Sequence, residues 1–156
     1  MTKAYAGIGS RKTPEPILQV MSKLAARLYR DGWELRSGGA AGADSAFWRG
    51  CNGVGRVYRP EDATAEAIEL ASQFHPAWDR CSDYVRKLHG RNAMILLGDD
   101  LQSPASMVVC WTPEGKDVGG TGLGIRIARD RGIPVRNLAD TEVLGRCLEW
   151  LGERYG

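Results

Sequence analysis

The chain has 156 residues, of which 43% are hydrophobic and 26% charged, with a formal net charge of +2. That length supports one domain with a real core and is short for two. The near-balanced charge gives no argument for nucleic acid by itself, and no apolar run approaches the length of a membrane span. The cations are mostly Arg, which favours carboxylate or phosphate partners. Cysteines 51, 81, 110 and 147 lie far apart with no C-x-x-C pair, which speaks against a zinc cluster. The start "MTKAYAGIGS" is too short and too polar for a signal peptide, which speaks against a disulfide framework. The expectation is a reduced, cytoplasmic, single-domain protein over residues 1–156, with no metal, cofactor or membrane partner.

In chain order, "KAYAGIGS" reads as a first strand ending in glycines. Thr13-Pro14 opens a helix on which Ile17, Met21, Leu24 and Leu28 recur at helical spacing, and Asp31-Gly32 ends it. "WELRS" is a second strand, followed by the glycine-rich "RSGGAAGAD" and a helix through Ala46 and Phe47. "VGRVYRP" is a third strand stopped by Pro60. Residues 64–97 read as mainly helical, broken near His75-Pro76. "SMVVCWT" is the clearest buried strand, "GGTGLGIRIARDRG" a glycine turn opening a helix, and "IPVRNL" a fifth strand. A last helix from Asp140 to Tyr155 carries Val143, Leu144, Cys147, Leu148 and Leu151 on one face.

Strands alternating with helices predict an α/β fold, a Rossmann-like three-layer sandwich with a mainly parallel five-stranded sheet in the order 3-2-1-4-5. Ligands of such sheets sit beyond the carboxyl ends of the strands, where strand order reverses. That puts Gly9, Ser10, Arg11 and the segment from Thr112 to Gly122 at the switch point, with "RSGGAAGAD" one strand away.

The glycine loops divide the expected work. Gly119, Gly120, Thr121 and Gly122 enter a helix, where free amides and the helix dipole favour an anion, and Arg126 follows in the same helix. The alternative is a turn that needs glycine only for packing. Asp44 opens its own helix, where an acid complements the dipole and can accept a backbone N–H. A carboxylate there repels phosphate, so the reading gives phosphate to Gly119–Gly122 and leaves Ser37, Gly38, Gly39 and Asp44 for a sugar or base. Trp78 and Tyr84 can stack on a base. His75 and His89 have no metal-ligand spacing. Thr112, Glu114 and Asp117 fall near the predicted crevice, with solvated loop charges as the equal alternative.

"GIGSR", "GW.LRSGGAAGADSAF", "LHGRN", "VVCWTPEG", "GGTG" and "RIARDRGIPVRNL", taken in order, resemble the SLOG superfamily, which joins the Smf/DprA and Lonely Guy (LOG) proteins. They look most like its small single-domain, DprA-like members often found in phages. The resemblance implies a Rossmann-like domain, a nucleotide-derived ligand, frequent homodimers and, if phage-encoded, the host cytoplasm. LOG enzymes are nucleoside 5′-monophosphate phosphoribohydrolases whose signature is P-G-G-x-G-T-x-x-E with an upstream Arg. Gly119, Gly120 and Gly122 match its glycines; Val118 replaces the Pro, Leu123 the Thr, and Arg126 stands where the catalytic Glu belongs. Arg91 of "HGRNAM" is the counterpart of the upstream Arg. Glycosidic cleavage passes through an oxocarbenium-like state that a carboxylate stabilises and an Arg opposes. A hydrolase would therefore need Asp44, Glu114 or Asp117 as its acid. The expectation is nucleotide binding in the crevice, as sensor, sequestering protein or N-glycosidic hydrolase. Phosphate would sit on Gly119–Gly122 with Thr121 and Arg11, sugar on Ser37, Gly38 and Asp44, and Arg91 and Asn92 would face the crevice. The alternatives are a LOG-like hydrolase with a non-standard acid, a DprA-like single-stranded DNA-binding recombination mediator, and a scaffold with a vestigial crevice.

Overall fold

The computed structural model describes residues 3–152. Strands β1 (Ala4–Gly7), β2 (Glu34–Ser37), β3 (Arg56–Val57), β4 (Met107–Cys110) and β5 (Val135–Asn137) form one sheet in the order β3-β2-β1-β4-β5. Every pairing is parallel, so the predicted order holds strand for strand. The register sets Tyr5 beside Leu35 on one side and Met107 on the other. β1 and not β4 is the most completely buried strand: all four of its residues are inside. Six helices flank the sheet: α1 (Glu15–Arg30), α2 (Ala43–Gly50), α3 (Ala65–Ser72), α4 (Asp83–Leu97), α5 (Gly119–Asp130) and α6 (Thr141–Trp150).

Short polar signals fix the helix starts. The side chains of Thr64, Ser82 and Asp140 accept the backbone N–H groups of Ala67, Val85 and Glu142, capping α3, α4 and α6. α1 instead caps on Pro14, with Pro16 in its first turn, because proline gives up an N–H that has no acceptor there. It buries Met21, Leu24, Ala25 and Leu28, close to the predicted stripe. The helical stretch after residue 64 is two helices, with the break at His75-Pro76 filled by a short 3₁₀ turn, Trp78–Arg80. α6 ends at Trp150, capped by Leu151 and turned out of the helix at Gly152 with φ +77°, so it is shorter than predicted; residues 153–155 of the predicted helix lie outside the described residues.

β3 is shorter than its sequence suggests. Tyr58 N–H still reaches Ser37 O at 2.9 Å, but Pro60 then starts a 3₁₀ turn whose geometry leaves the sheet. Two apolar layers cover the faces. One packs α3, α4 and α5 through residues such as Ile95, Leu96, Leu123 and Ile127. The other packs α1 and α2 through Met21, Leu24, Ala46 and Phe47, with Val143 and Leu144 of α6 against its edge. Among the described residues no helix is long and apolar enough to cross a membrane.

Candidate functional site

A cleft of about 870 Å³ opens over the carboxyl ends of the central strands. This is the switch point between β1 and β4, where the two neighbouring crossovers run to opposite faces and leave a gap. Gly9, Ser10, Arg11 and Lys12 form one wall, Ala40 and Asp44 the second, α4 the floor, and Asp117 to Thr121 the third. Ile8 and Ser10 donate their N–H groups to Val109 and Trp111, so the chain beyond β1 continues along β4 before it turns. Gly9 has to be glycine: a Cβ there would lie 2.6 Å from the Cβ of Ala43, and the first turn of α2 could not close on the loop. The Ser10 hydroxyl oxygen accepts Lys12 N–H at 3.0 Å, which leaves its proton free to donate, and Arg11 is exposed on the rim.

Asp44 and Arg91 meet at the base of the second wall. Asp44 is buried in the first turn of α2, and its Oδ2 accepts Ala40 N–H at 3.0 Å. Burial raises its pKa above the ordinary carboxylate range, against the lowering effects of that N–H, of the Arg91 charge and of the more distant Arg11. The nearby Ser37 hydroxyl gives its single proton to Gly7 O at 2.7 Å. Arg91 reaches from α4 across the loop, with Nη1 donating to Gly38 O at 2.9 Å and Tyr58 O at 3.2 Å and Nε donating to Leu88 O at 3.3 Å. It therefore ties the ends of β2 and β3 to α4, and it still borders the cleft.

A raised carboxyl pKa has a sign that can be tested. The folded state holds its proton more tightly than the unfolded state, so wild-type stability falls as pH rises through the folded pKa of Asp44. Asp44→Asn keeps an acceptor for Ala40 N–H and removes the buried charge. Urea unfolding is expected to show the variant more stable than wild type at pH 7, with the gain gone below about pH 4, where the ordinary carboxyl is protonated in both states. Equal stability at pH 7 would refute this assignment of the charge.

The third wall begins with Gly119 at φ +68°. The first amide of α5 to bond back along the chain is that of Gly122, to Val118 O at 3.0 Å. The N–H groups of Gly119, Gly120 and Thr121 have no backbone acceptor among the described residues, and this helix end borders the cleft. Asn92 Nδ2 donates to Gly120 O at 3.4 Å and steadies the turn from the floor. Arg126 spends Nε on Phe74 O at 2.9 Å and Nη1 on Asp117 O at 3.1 Å, bracing the turn, while its side chain also borders the cleft. Asp117 pairs with Arg129.

Gly9, Ser10, Arg11, Asp44, Arg91, Asn92, Gly119, Gly120, Thr121 and Arg126 thus come together. The other residues singled out in the sequence lie elsewhere. Ser37 is buried under the loop, and Gly38 is where Arg91 and Asp44 approach the backbone, at 2.8 and 3.0 Å from the site of a Cβ. Gly39, at φ +76°, packs against Val57. Thr112 is fully buried, its hydroxyl accepting Asn137 Nδ2 at 2.8 Å. A Cβ on Gly122 would meet the backbone carbonyl carbon of Asp117 at 2.4 Å, so this glycine serves packing. Glu114 is exposed, pairs with Lys116 at 3.0 Å and borders a separate cavity of about 530 Å³ beside β5. Of the three carboxylates considered for acid chemistry, Asp44 and Asp117 are the ones on the cleft.

Lys12 escaped the sequence reading, and the two histidines it set aside for want of metal-ligand spacing come together in space. Lys12 stands on the rim beside Arg11. His75 and His89 border the far side of the cleft and Cys81 lies against His75, with one ligand atom from each of the three within 4.8 Å of the others. Sequence spacing hides this group because the break after α3 folds back on α4.

No family model matches the chain, and a comparison with curated proteins found no match. Among solved structures it is similar to DNA processing protein A from Helicobacter pylori, whose structure was described for its single-stranded DNA binding mode. The TM-score is 0.64 at 14% identity, over 97% of this chain and 80% of the other. At that identity the likeness is one of fold, and the fold is DprA-like.

Proposed function

We propose that the cleft binds single-stranded DNA, seating one nucleotide between the start of α5 and the Ser10–Lys12 rim. The observation that carries this reading is charge concentrated on an open groove: Arg11, Lys12, Arg91 and Arg126 border it against Asp44 and Asp117, in a chain that is otherwise nearly balanced. The phosphate meets the free amides of Gly119 to Thr121, and Asp44 faces the neutral part of the nucleotide. Tyr84, at 60% exposure, lies one and two turns before Leu88 and Arg91 on α4, which do border the cleft, and supplies the stacking surface in this reading. The DprA-like fold supports the same reading.

A second reading, a free nucleotide as ligand, is favoured by the buried Asp44 carboxyl at the base of the groove, which suits a sugar hydroxyl or base N–H. Fluorescence anisotropy with a labelled oligothymidylate, run across a salt series, separates the two. The DNA reading expects affinity to fall with salt at a log–log slope of about −0.7 per phosphate contacted. It also expects Tyr84→Ala to weaken binding by roughly tenfold, from a stacking energy of about 1–3 kcal/mol per base. Oligonucleotides that do not bind, with mononucleotides that raise the melting temperature, would move the conclusion to the second reading. No response to either ligand would end both.

A further inference from the structure

We propose that His75, Cys81 and His89 form a transition-metal site of the zinc class beside the cleft. This stands apart from nucleotide binding and uses none of the residues assigned to it. Cys81 Sγ lies 3.6 Å from His75 Nε2 and 3.9 Å from its Nδ1, and the three ligand atoms fall within 4.8 Å of one another. Tetrahedral zinc with a Zn–S bond of about 2.3 Å and a Zn–N bond of about 2.05 Å sets its S and N ligands about 3.6 Å apart. The cluster is therefore already near the size of a coordination shell. One thiolate with two imidazoles is a donor set that suits zinc.

His89 supplies an independent observation. It is 7% exposed, and its Nδ1 is buried without a hydrogen bond among the described residues. A buried polar atom left in this state calls for an explanation. Its ring is packed between His75, with centroids 4.8 Å apart, and Trp78 at 6.0 Å.

Two features weaken the site and set its character. Without metal, His75 Nδ1 accepts Ala77 N–H at 2.9 Å, which puts the ring proton on Nε2. Metal binding at Nε2 moves the ring proton to Nδ1, which can then no longer accept Ala77 N–H, so that bond is lost. The Cys81 thiol, which contacts Ala77 O at 3.7 Å, loses its proton to solvent as the metal–sulfur bond forms. The bound ion and one thiolate leave a net positive charge near Arg126 and near Arg86, which lies 5.3 Å from the Trp78 ring. The site is accordingly weaker than a four-cysteine structural zinc site. With three protein ligands it keeps an open position, and His75 and His89 border the cleft.

Cobalt(II) titration of the reduced full chain tests this, because cobalt reports its own ligands. The expected result is one equivalent bound, a thiolate-to-cobalt charge-transfer band and d–d bands of tetrahedral intensity, all displaced by zinc. Cys81→Ser abolishes the charge-transfer band. His75→Gln and His89→Gln each weaken binding by more than about tenfold, the upper range of losses for ligand-supporting residues being about 10- to 100-fold. Cys147→Ser on α6 leaves the spectrum unchanged. Zinc protection of Cys81 from alkylation, read by peptide mass spectrometry on the unmutated chain, gives a second readout that does not depend on a variant folding. No charge-transfer band at a several-fold excess of cobalt, a band that survives Cys81→Ser, or alkylation of Cys81 unaffected by zinc overturns the proposal.

Discussion

Arg91→Ala is expected to lose about 2–4 kcal/mol of folding stability, somewhat under the range for breaking a fully buried charged pair. It is also expected to weaken nucleic-acid binding by more than tenfold. The guanidinium holds three backbone carbonyls from three segments, Gly38, Tyr58 and Leu88. Removing it strands the first two, since no other donor reaches either carbonyl among the described residues and each unmet acceptor carries a desolvation penalty of about 1–3 kcal/mol. It also takes away the cation that opposes the burial penalty on Asp44, so the carboxyl pKa rises further. Arg91→Lys recovers the charge without the fork geometry and should restore a minor part of the stability. Urea denaturation at pH 7 with oligonucleotide anisotropy on the same samples reads both effects. A variant as stable as wild type would show that Arg91 is not the clamp described.

Gly122→Ala separates packing from ligand contact on the α5 turn. Its Cβ would sit 2.4 Å from the backbone carbonyl carbon of Asp117 and 2.8 Å from the Asp117 oxygen, and backbone cannot rotate away as a side chain can. The turn must open, at a cost of about 1–3 kcal/mol by analogy with overpacked cores. Opening it pulls Asp117 O from Arg126 Nη1 and misaligns the amides of Gly119 to Thr121. Both melting temperature and binding should fall. Gly120→Ala is the contrasting variant, because its nearest neighbour is the Asn92 amide at 3.3 Å, which can shift. It should keep near-wild-type stability and lose affinity through crowding of the ligand. Equal losses of stability in the two variants would contradict this division.

The architecture was legible because its signals are local. Prolines and caps mark the helix starts, apolar spacing marks α1, and glycines close β1, β2 and the α5 turn. Right-handed crossovers then leave few sheet orders to choose from. The rim followed from the same logic, since loops after the carboxyl ends of β1, β2 and β4 must share one edge. Side-chain roles were less legible. Gly38 and Gly122 look like ligand glycines in sequence, and what they meet is Arg91 and the Asp117 backbone. Glu114 follows β4 closely in sequence, but a tight turn with φ +55° at Glu114 itself directs it toward β5. The cluster of His75, Cys81 and His89 depends on how the segment between α3 and α4 folds back against α4, which no spacing rule encodes.

The two apolar layers share the sheet as a common wall, and the cleft draws one side from each. Gly9 and Asp44 ride with the layer of α1 and α2, whereas Asn92, Thr121 and Arg126 ride with that of α4 and α5. Packing defects placed on helices of opposite layers, with the sheet between them, should have free energies that sum. The groove between them has no such independence. Its width is the relative position of two slabs, so a defect deep in either slab, far from any ligand atom, changes the fit of everything bound between them.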